Sequence, residues 1–198
     1  MKWIPATRLA GLAVLAGCAG APTAVPPAPA ATAPAITGLA LSSPGRSDNA
    51  LLERPFAGRN PANPNCVGEN LSPALAWTGV PEGTRSFAIV MEDQAGRAGL
   101  GVNHWTAYGM AATLRGLPQG AAAQRPAAFV MGANTLNDRA YLGPCPRKGN
   151  APQHYVFTLI ATSLAPDALP EGLTKAQLME ALQGKALAAG SLVLRFAH

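Results

Sequence analysis

Short apolar runs separated by Gly, Pro and Asn recur along the chain after its first 35 residues. Such runs, rich in Val, Ile, Phe, Tyr or Trp and bounded by turn-forming residues, predict β-strands. Two of them, Ser86–Met91 and Tyr155–Ile160, scarcely alternate between apolar and polar positions, which predicts central strands covered on both faces. The predicted strands are 39–42, 74–77, 86–92, 104–110, 155–162 and 191–196.

One segment near the C-terminus, residues 175–183, has helical periodicity. Thr174 and Gln177 have the spacing of a capping box, and Leu178 and Leu182 recur at i and i+4. Gly184 supplies a residue suited to ending the helix. Strands at this spacing with one late helix predict a mainly β fold, a sandwich or Greek-key arrangement, and not βαβ units.

The first 17 residues have the pattern of a lipoprotein signal peptide. Lys2 and Arg8 form a positive n-region, and the apolar stretch that follows is too short to span a bilayer. It ends in Leu15-Ala16-Gly17-Cys18, which has the form of a lipobox. We therefore expect cleavage before Cys18, whose thiol would carry a diacylglyceryl group with acyl chains such as palmitate. The alternatives are an uncleaved signal or a soluble secreted protein.

Residues 18–35 are the lipidated Cys followed by an Ala/Pro-rich tether, and residues 36–198 have the length of one folded domain. Ala19 follows the cysteine where an inner-membrane protein often has Asp. The predicted location is therefore the cell envelope, facing the periplasm or exterior, with the outer membrane favoured where one exists. Without residues 1–17, thirteen basic residues face ten acidic ones, a net charge of +3. The basic residues are scattered and form no basic run, so nucleic acid is not an expected partner.

Two cysteines remain in the domain, Cys66 and Cys145. In an oxidising envelope an even pair favours a disulfide. A pair of buried thiols or a thiol-based site remain the alternatives.

A carboxylate and an imidazole are predicted to meet at one end of the sheet. If strands 86–92 and 104–110 pair as antiparallel neighbours, Asp93 leaves the first strand where His104 enters the second. The carboxylate should raise the pKa of His104 unless burial outweighs it and lowers the pKa. Taken separately, His104 is expected as a half-buried strand residue and Asp93 as a turn residue. Together they are a candidate site.

Several ordered motifs resemble those of the phosphatidylethanolamine-binding proteins, in particular the bacterial Raf kinase inhibitor-like group. Cys66-Val-Gly-Glu-Asn-Leu-Ser-Pro-Ala-Leu-Ala-Trp77 matches the Cys-x-Gly-x-Asn-x-Ser-Pro-x-Leu-x-Trp opening of that family. Residues 81–88, His104-Trp105, 141–146 and 155–157 match later segments in order. The resemblance extends from about Leu39 to Phe196.

This resemblance implies a large antiparallel sheet packed on a smaller one, with a small anion-accepting pocket at the strand ends. Carried over by position, the ligand-binding residues are Asp93, His104, Tyr155, Gln153 and, in the loop 141–146, Pro144. The chain departs from the family in two places. Asp93-Gln94-Ala95-Gly96-Arg97 stands where the family has Asp-Pro-Asp-Ala-Pro, and Gln153 replaces a His. Losing two prolines should loosen this wall of the pocket.

The predicted function is a membrane-anchored envelope lipoprotein that binds a phosphate-like or other small polar ligand without catalysis. We expect no metal and no cofactor. Phosphate binding should be weak unless backbone N–H groups of loop 141–149, with Arg147 or Lys148, contribute. One alternative is a protein-interaction or inhibitor module, acting on a kinase or protease. The other is a hydrolase using the Asp93–His104 pair, although no Gly-x-Ser-x-Gly, His-Glu-x-x-His or Walker motif is present.

Overall fold

The computed structural model describes residues 38–122 and 128–198. The predicted signal peptide (1–17), the predicted lipidation site Cys18 and the predicted tether through residue 35 lie outside these residues. None of the helices in the described segments is long and apolar enough to cross a membrane.

The described residues form nine strands, two short α-helices and one 3₁₀ turn. The strands are β1 (Ala40–Ser42), β2 (Ala50–Leu51), β3 (Leu75–Thr78), β4 (Ser86–Asp93), β5 (Val102–Ala111), β6 (Gly116–Leu117), β7 (Val130–Met131), β8 (Gln153–Thr162) and β9 (Ala186–Phe196). The helices are α1 (Gly96–Gly99) and α2 (Lys175–Ala181), and the 3₁₀ turn is Arg54–Phe56.

Two sheets contain all of these strands. The larger has the order β2-β9-β8-β4-β5-β7 and the smaller β1-β3-β6. Every pair is antiparallel except β2 with β9, which is parallel. The predicted large antiparallel sheet packed on a smaller sheet is therefore confirmed, with one parallel pair at its edge. Long β4, β5, β8 and β9 carry the architecture.

Strand β4 lies at the centre and is covered on both faces. Alternate residues such as Phe87 and Ile89 join the larger core cluster, which also holds Trp77 of the small sheet. The residues between them, including Ala88 and Val90, face a second cluster with Leu178 of α2. Burial on both faces removes the need for polar alternation, and this explains the continuous apolar run in the sequence.

Most of the predicted elements are present, and two details differ. The six predicted strands correspond to β1, β3, β4, β5, β8 and β9, with ends shifted by up to five residues. Helix α2 has the predicted capping box, in which Thr174 accepts from the Gln177 backbone N–H. It ends at Ala181 and not at 183, because the Gln183 N–H donates to Glu180 O and tightens the last turn before Gly184 adopts a positive φ.

Candidate functional site

Three long strands begin or end at the same end of the large sheet. Strand β4 ends at Asp93, which pairs with Val102 at the start of β5. Strand β8 begins at Gln153 and runs antiparallel to β4 on its other side, with Val156 opposite Glu92. Antiparallel neighbours alternate in direction, so the end of one strand meets the start of the next. The loops at this end of the sheet enclose a cleft.

The cleft has a volume of about 720 Å³. Its walls come from the loop before β3, the β4–β5 connection, the loop after β7 and the loop before β8. The polar and charged side chains among its lining residues are Arg59, Asn60, Asn63, Asn70, Asp93, Arg97, His104, Thr135, Tyr141, Arg147, Asn150, Gln153 and Tyr155.

Asp93 is buried at the inner end of the cleft, with 2% of its surface exposed. Its Oδ1 accepts a hydrogen bond from the Ala95 backbone N–H at 2.9 Å. Gly96 packs so tightly that a Cβ atom there would lie 2.6 Å from Val102 Cγ2 and 3.1 Å from Asp93 Oδ2. A side chain at position 96 would therefore press on the carboxylate.

His104 is held by a backbone carbonyl. Its Nδ1 lies 2.7 Å from Leu142 O, and the Leu142 N–H donates to His104 O at 3.0 Å. Donation from Nδ1–H leaves Nε2 as an acceptor in the neutral ring. Nε2 is buried and has no hydrogen-bond partner among the described residues.

Burial lowers the pKa of His104, although the Leu142 carbonyl and the negative charge of Asp93 oppose this shift. Of the two outcomes expected from the sequence, the second therefore holds: the carboxylate raises the pKa of His104, and desolvation of the imidazolium outweighs it. Asp93 acts on the ring electrostatically, and the two side chains share no hydrogen bond in the described structure.

Two tyrosines close the inner end of the cleft. The Tyr155 ring meets the His104 ring edge to face, with centroids 5.1 Å apart, and its hydroxyl lies 3.5 Å from Gln153 Oε1. Tyr141 is buried, and its hydroxyl has no partner in the part of the chain described. Burial raises the pKa of both phenols, so both remain protonated.

The residues carried over by resemblance converge with one exception. Asp93, His104, Tyr155 and Gln153 all line the cleft, whereas Pro144 does not. Pro144 is turned into the structure behind the wall, where its carbonyl accepts from the Gly58 N–H at 2.8 Å. Its neighbours in the chain, Gly143, Cys145 and Pro146, form this wall in its place.

A disulfide between Cys66 and Cys145 joins two walls of the cleft. The Cα atoms are 4.8 Å apart, within the usual range for a bridge. Asn70 ties the same two loops, because its Nδ2 donates to Tyr141 O and its Oδ1 accepts from the Gly143 N–H. The Gly143 N–H thus donates to Asn70, and the Leu142 N–H donates to His104 O, so neither is among the N–H groups of loop 141–149 that could contribute to phosphate binding.

Three arginines surround the opening of the cleft: Arg59, Arg97 and Arg147. All three are exposed, and none forms an ion pair with the described residues. Sequence reasoning anticipated only Arg147, while Lys148 lies outside the lining. Arg97 stands in left-handed backbone at φ 52°, within the segment that departs from the family pattern. That departure was the one sequence signal that could have pointed to it.

The side chains that line the cleft are suited to a polar ligand. The described residues contain no cluster of three or more His, Cys, Asp or Glu side chains suited to a metal. Guanidinium groups offer bidentate donors for phosphate or carboxylate. The buried hydroxyl and imidazole offer hydrogen-bonding groups with no internal partner.

The fold and this site define a β-sandwich binding protein with its pocket at the strand ends, and known proteins identify its family. The model of the family "Phosphatidylethanolamine-binding protein" matches residues 43–197. This chain therefore belongs to the phosphatidylethanolamine-binding protein family.

Individual relatives agree with this assignment. The UPF0098 protein YbcL of Escherichia coli (strain K12) is 41% identical over 100 residues, which are 48% of this chain and 55% of that protein. The chain thus spans just over half of YbcL in that alignment. A UPF0098 protein of Methanothermobacter thermautotrophicus is 33% identical over 138 residues, 69% of this chain and 89% of that protein.

Solved structures have the same fold. The crystal structure of E. coli YbcL, described as a new member of the mammalian PEBP family, has a TM-score of 0.71 at 28% identity, covering 81% of this chain and 98% of that one. A homologue from Chlamydia trachomatis has a TM-score of 0.69 at 25% identity, covering 82% and 99%.

Proposed function

We propose that this family member is an envelope lipoprotein, anchored through Cys18, whose cleft binds a small phosphate-like or other polar ligand without converting it. The observation that carries the proposal is the charge of the cleft: among the residues that the structure describes, it is lined by three guanidinium groups without an ion pair and by one carboxylate, Asp93. With His104 neutral, the lining carries a net positive charge. A cleft lined in this way attracts an anionic group, which the guanidinium groups can bind.

Binding without catalysis is favoured by how His104 is held. A general base in a hydrolytic pair is oriented by a carboxylate and faces a nucleophile. Here the Leu142 carbonyl takes that orienting place, and no hydroxyl donates to Nε2 among the described residues. The hydrolase alternative therefore lacks both partners that it needs.

The test is titration of the full-length mature protein, in detergent, with ethyl phosphate. Arg97→Ala combined with Arg147→Ala should weaken binding at least tenfold, because bidentate phosphate contacts each contribute on the order of 1.5–3 kcal/mol. Arg85→Ala is the matched control, since Arg85 is exposed and outside the cleft, and it should leave binding unchanged. Absence of binding at millimolar concentration would reject the proposal.

A second candidate, the protein-interaction module, has one observation in its favour. Leu136 is 63% exposed while lining the cleft, and Leu100, in the nearby β4–β5 connection, is 80% exposed. Contiguous exposed apolar patches mark protein-interaction sites, and these two side chains are the candidates for such a patch beside the cleft. Leu100→Ser with Leu136→Ser should abolish capture of such a partner, with ethyl phosphate binding retained.

A further inference from the structure

Asn70 holds the loop before β8 from both sides of one residue. Its Nδ2 donates to Tyr141 O at 3.1 Å, and its Oδ1 accepts from the Gly143 N–H at 2.8 Å. The residue between these two contacts is Leu142. One side-chain amide therefore binds both of the peptide groups that flank Leu142.

The same two peptide groups bind His104 on their other side. The group between Tyr141 and Leu142 accepts from Asn70 through its oxygen, and its N–H donates to His104 O at 3.0 Å. The group between Leu142 and Gly143 donates its N–H to Asn70, and its oxygen accepts from His104 Nδ1 at 2.7 Å. Both groups are trans. In a planar trans group the N–H and the C=O point in opposite directions and cannot turn independently. Fixing one side of each group at Asn70 thus fixes the other side at His104.

Asn70 is itself held in place by the segment 56–58. Its backbone N–H donates at 2.8 Å to the oxygen of Ala57, a fully buried residue. Its φ of 60° lies in the left-handed region, which Asn adopts more readily than most residues. Gly143 packs on the same segment, because a Cβ atom there would lie 2.7 Å from Phe56 O and 2.8 Å from Gly58 N. Asn70 and the loop that it binds therefore share one buried backbone support.

The two ring nitrogens of His104 have different surroundings. Nδ1 faces Leu142 O, while Nε2 is buried and has no hydrogen-bond partner among the described residues. Which nitrogen carries the proton of a neutral imidazole is set by the hydrogen bond available to each. A carbonyl oxygen only accepts, so Leu142 O requires the proton on Nδ1 and leaves Nε2 as an acceptor. If this carbonyl turned away, no other hydrogen bond of the described structure would hold the proton there.

We propose that Asn70 is a positioning residue for His104: by fixing the two peptide groups that flank Leu142, it keeps the imidazole proton on Nδ1. Asn70 thereby determines whether His104 offers an acceptor or a donor at the inner end of the cleft. This rests on the proposed function in taking the cleft as the ligand site, whereas the position of the proton is a property of the protein without ligand.

NMR of isotopically labelled histidine rings measures the position of this proton. The sample is full-length mature protein in detergent, without ligand, at about pH 8.5 so that the imidazoles are neutral. In wild type, Nδ1 of His104 should carry the proton. The signals of His104 are identified by their absence from a His104→Gln variant, and the exposed His154 is the internal reference. A wild-type ring protonated mainly on Nε2 would overturn the inference.

Two variants of Asn70 test its part in this. Asn70→Gly removes both side-chain hydrogen bonds and keeps a residue that tolerates left-handed backbone. The ratio of Nδ1-protonated to Nε2-protonated His104 should fall about tenfold, because the loop loses two hydrogen bonds of ordinary strength. Asn70→Asp keeps the acceptor for the Gly143 N–H and loses the donor to Tyr141 O, so the ratio should fall by a smaller factor. This second variant also decides the question if Asn70→Gly does not fold.

The matched control is Asn49→Gly, which makes the same substitution in left-handed backbone. Asn49 has a φ of 65°, is exposed and lies outside the lining of the cleft, so this variant should keep the wild-type ratio. If Asn70 merely stabilised the loop, its variants would unfold at a lower urea concentration without moving the proton. A wild-type ratio in a folded Asn70 variant, or an equal fall in Asn49→Gly, would therefore overturn the inference. Failure of ethyl phosphate to bind wild type would reject the proposed function and leave the measured proton position standing.

Discussion

Removing the disulfide should destabilise the folded domain by an amount set by the loop that it closes. Cys66 and Cys145 are 79 residues apart in the chain. In the chain-entropy model, a loop of this length restricts the unfolded state by about 4.5 kcal/mol at 25 °C. For a domain of this size that corresponds to a fall of roughly 9–18 °C in Tm. Few other single changes in the molecule should cost as much.

The assay is urea unfolding of full-length mature protein, comparing wild type with the double variant Cys66→Ala, Cys145→Ala. Wild type unfolded in the presence of a thiol reductant is the internal control, and it should unfold at the urea concentration of the double variant. Labelling of denatured, unreduced protein should find neither thiol free. A difference below about 1 kcal/mol would refute the entropic reasoning, and full labelling of both cysteines would show that the bridge does not form.

Three further changes have directions that follow from the sequence or the structure. Cys18→Ala should release the protein from membranes after high-salt washing, because stable anchoring needs the acyl chains; retention with the membrane fraction would contradict the lipobox prediction. Thr174→Ala removes the acceptor for the Gln177 N–H and should lower the free energy of unfolding by about 1 kcal/mol in urea, whereas Thr78→Ala, an exposed strand residue, serves as control. The pKa of His104 is lowered in the folded protein, so the unfolded chain takes up the proton at a higher pH than the folded one. The free energy of unfolding should therefore decrease as the pH falls from 7 through about 6.5 and below. A His104→Gln variant with the same dependence of this free energy on pH would disprove the argument.

The fold could be predicted where the sequence has a long enough pattern. The run Ser86–Met91 gave the position and double burial of β4, and Thr174 with Gln177 gave the start of α2. Strands β2, β6 and β7 were missed because each has two residues, too few for any periodicity. Their pairing is imposed by longer neighbours, so the information lies outside the segment itself.

The inner end of the site was predictable for a topological reason. Antiparallel pairing of β4 with β5 forces the end of one to the start of the other, so Asp93 and His104 were expected to be close. The partner of His104 was not predictable in the same way. It is the carbonyl of Leu142, 38 positions along the chain. Because every residue has a backbone carbonyl, the residue type at position 142 does not indicate this contact. The direction of the His104 pKa shift depended on the depth of burial, which pairing alone does not fix.

The three arginines around the opening of the cleft could not be predicted as a group, because they share only their position in the folded structure. Three loops with no common motif supply them: Arg59, Arg97 and Arg147. The net charge of the chain does not show that they lie close together. Each taken alone is an ordinary exposed arginine. Together, with no carboxylate partner among the described residues, they form the proposed anion-binding group. Loops on a rigid sheet can change in this way while the core stays the same. The segment from Asp93 to Arg97 illustrates this: the carboxylate at the strand end is kept, the prolines are gone, and a cation stands in left-handed backbone where the family has a rigid turn. The specificity of this protein should therefore differ from that of relatives with the unaltered segment, even though the sheet that carries it is the same.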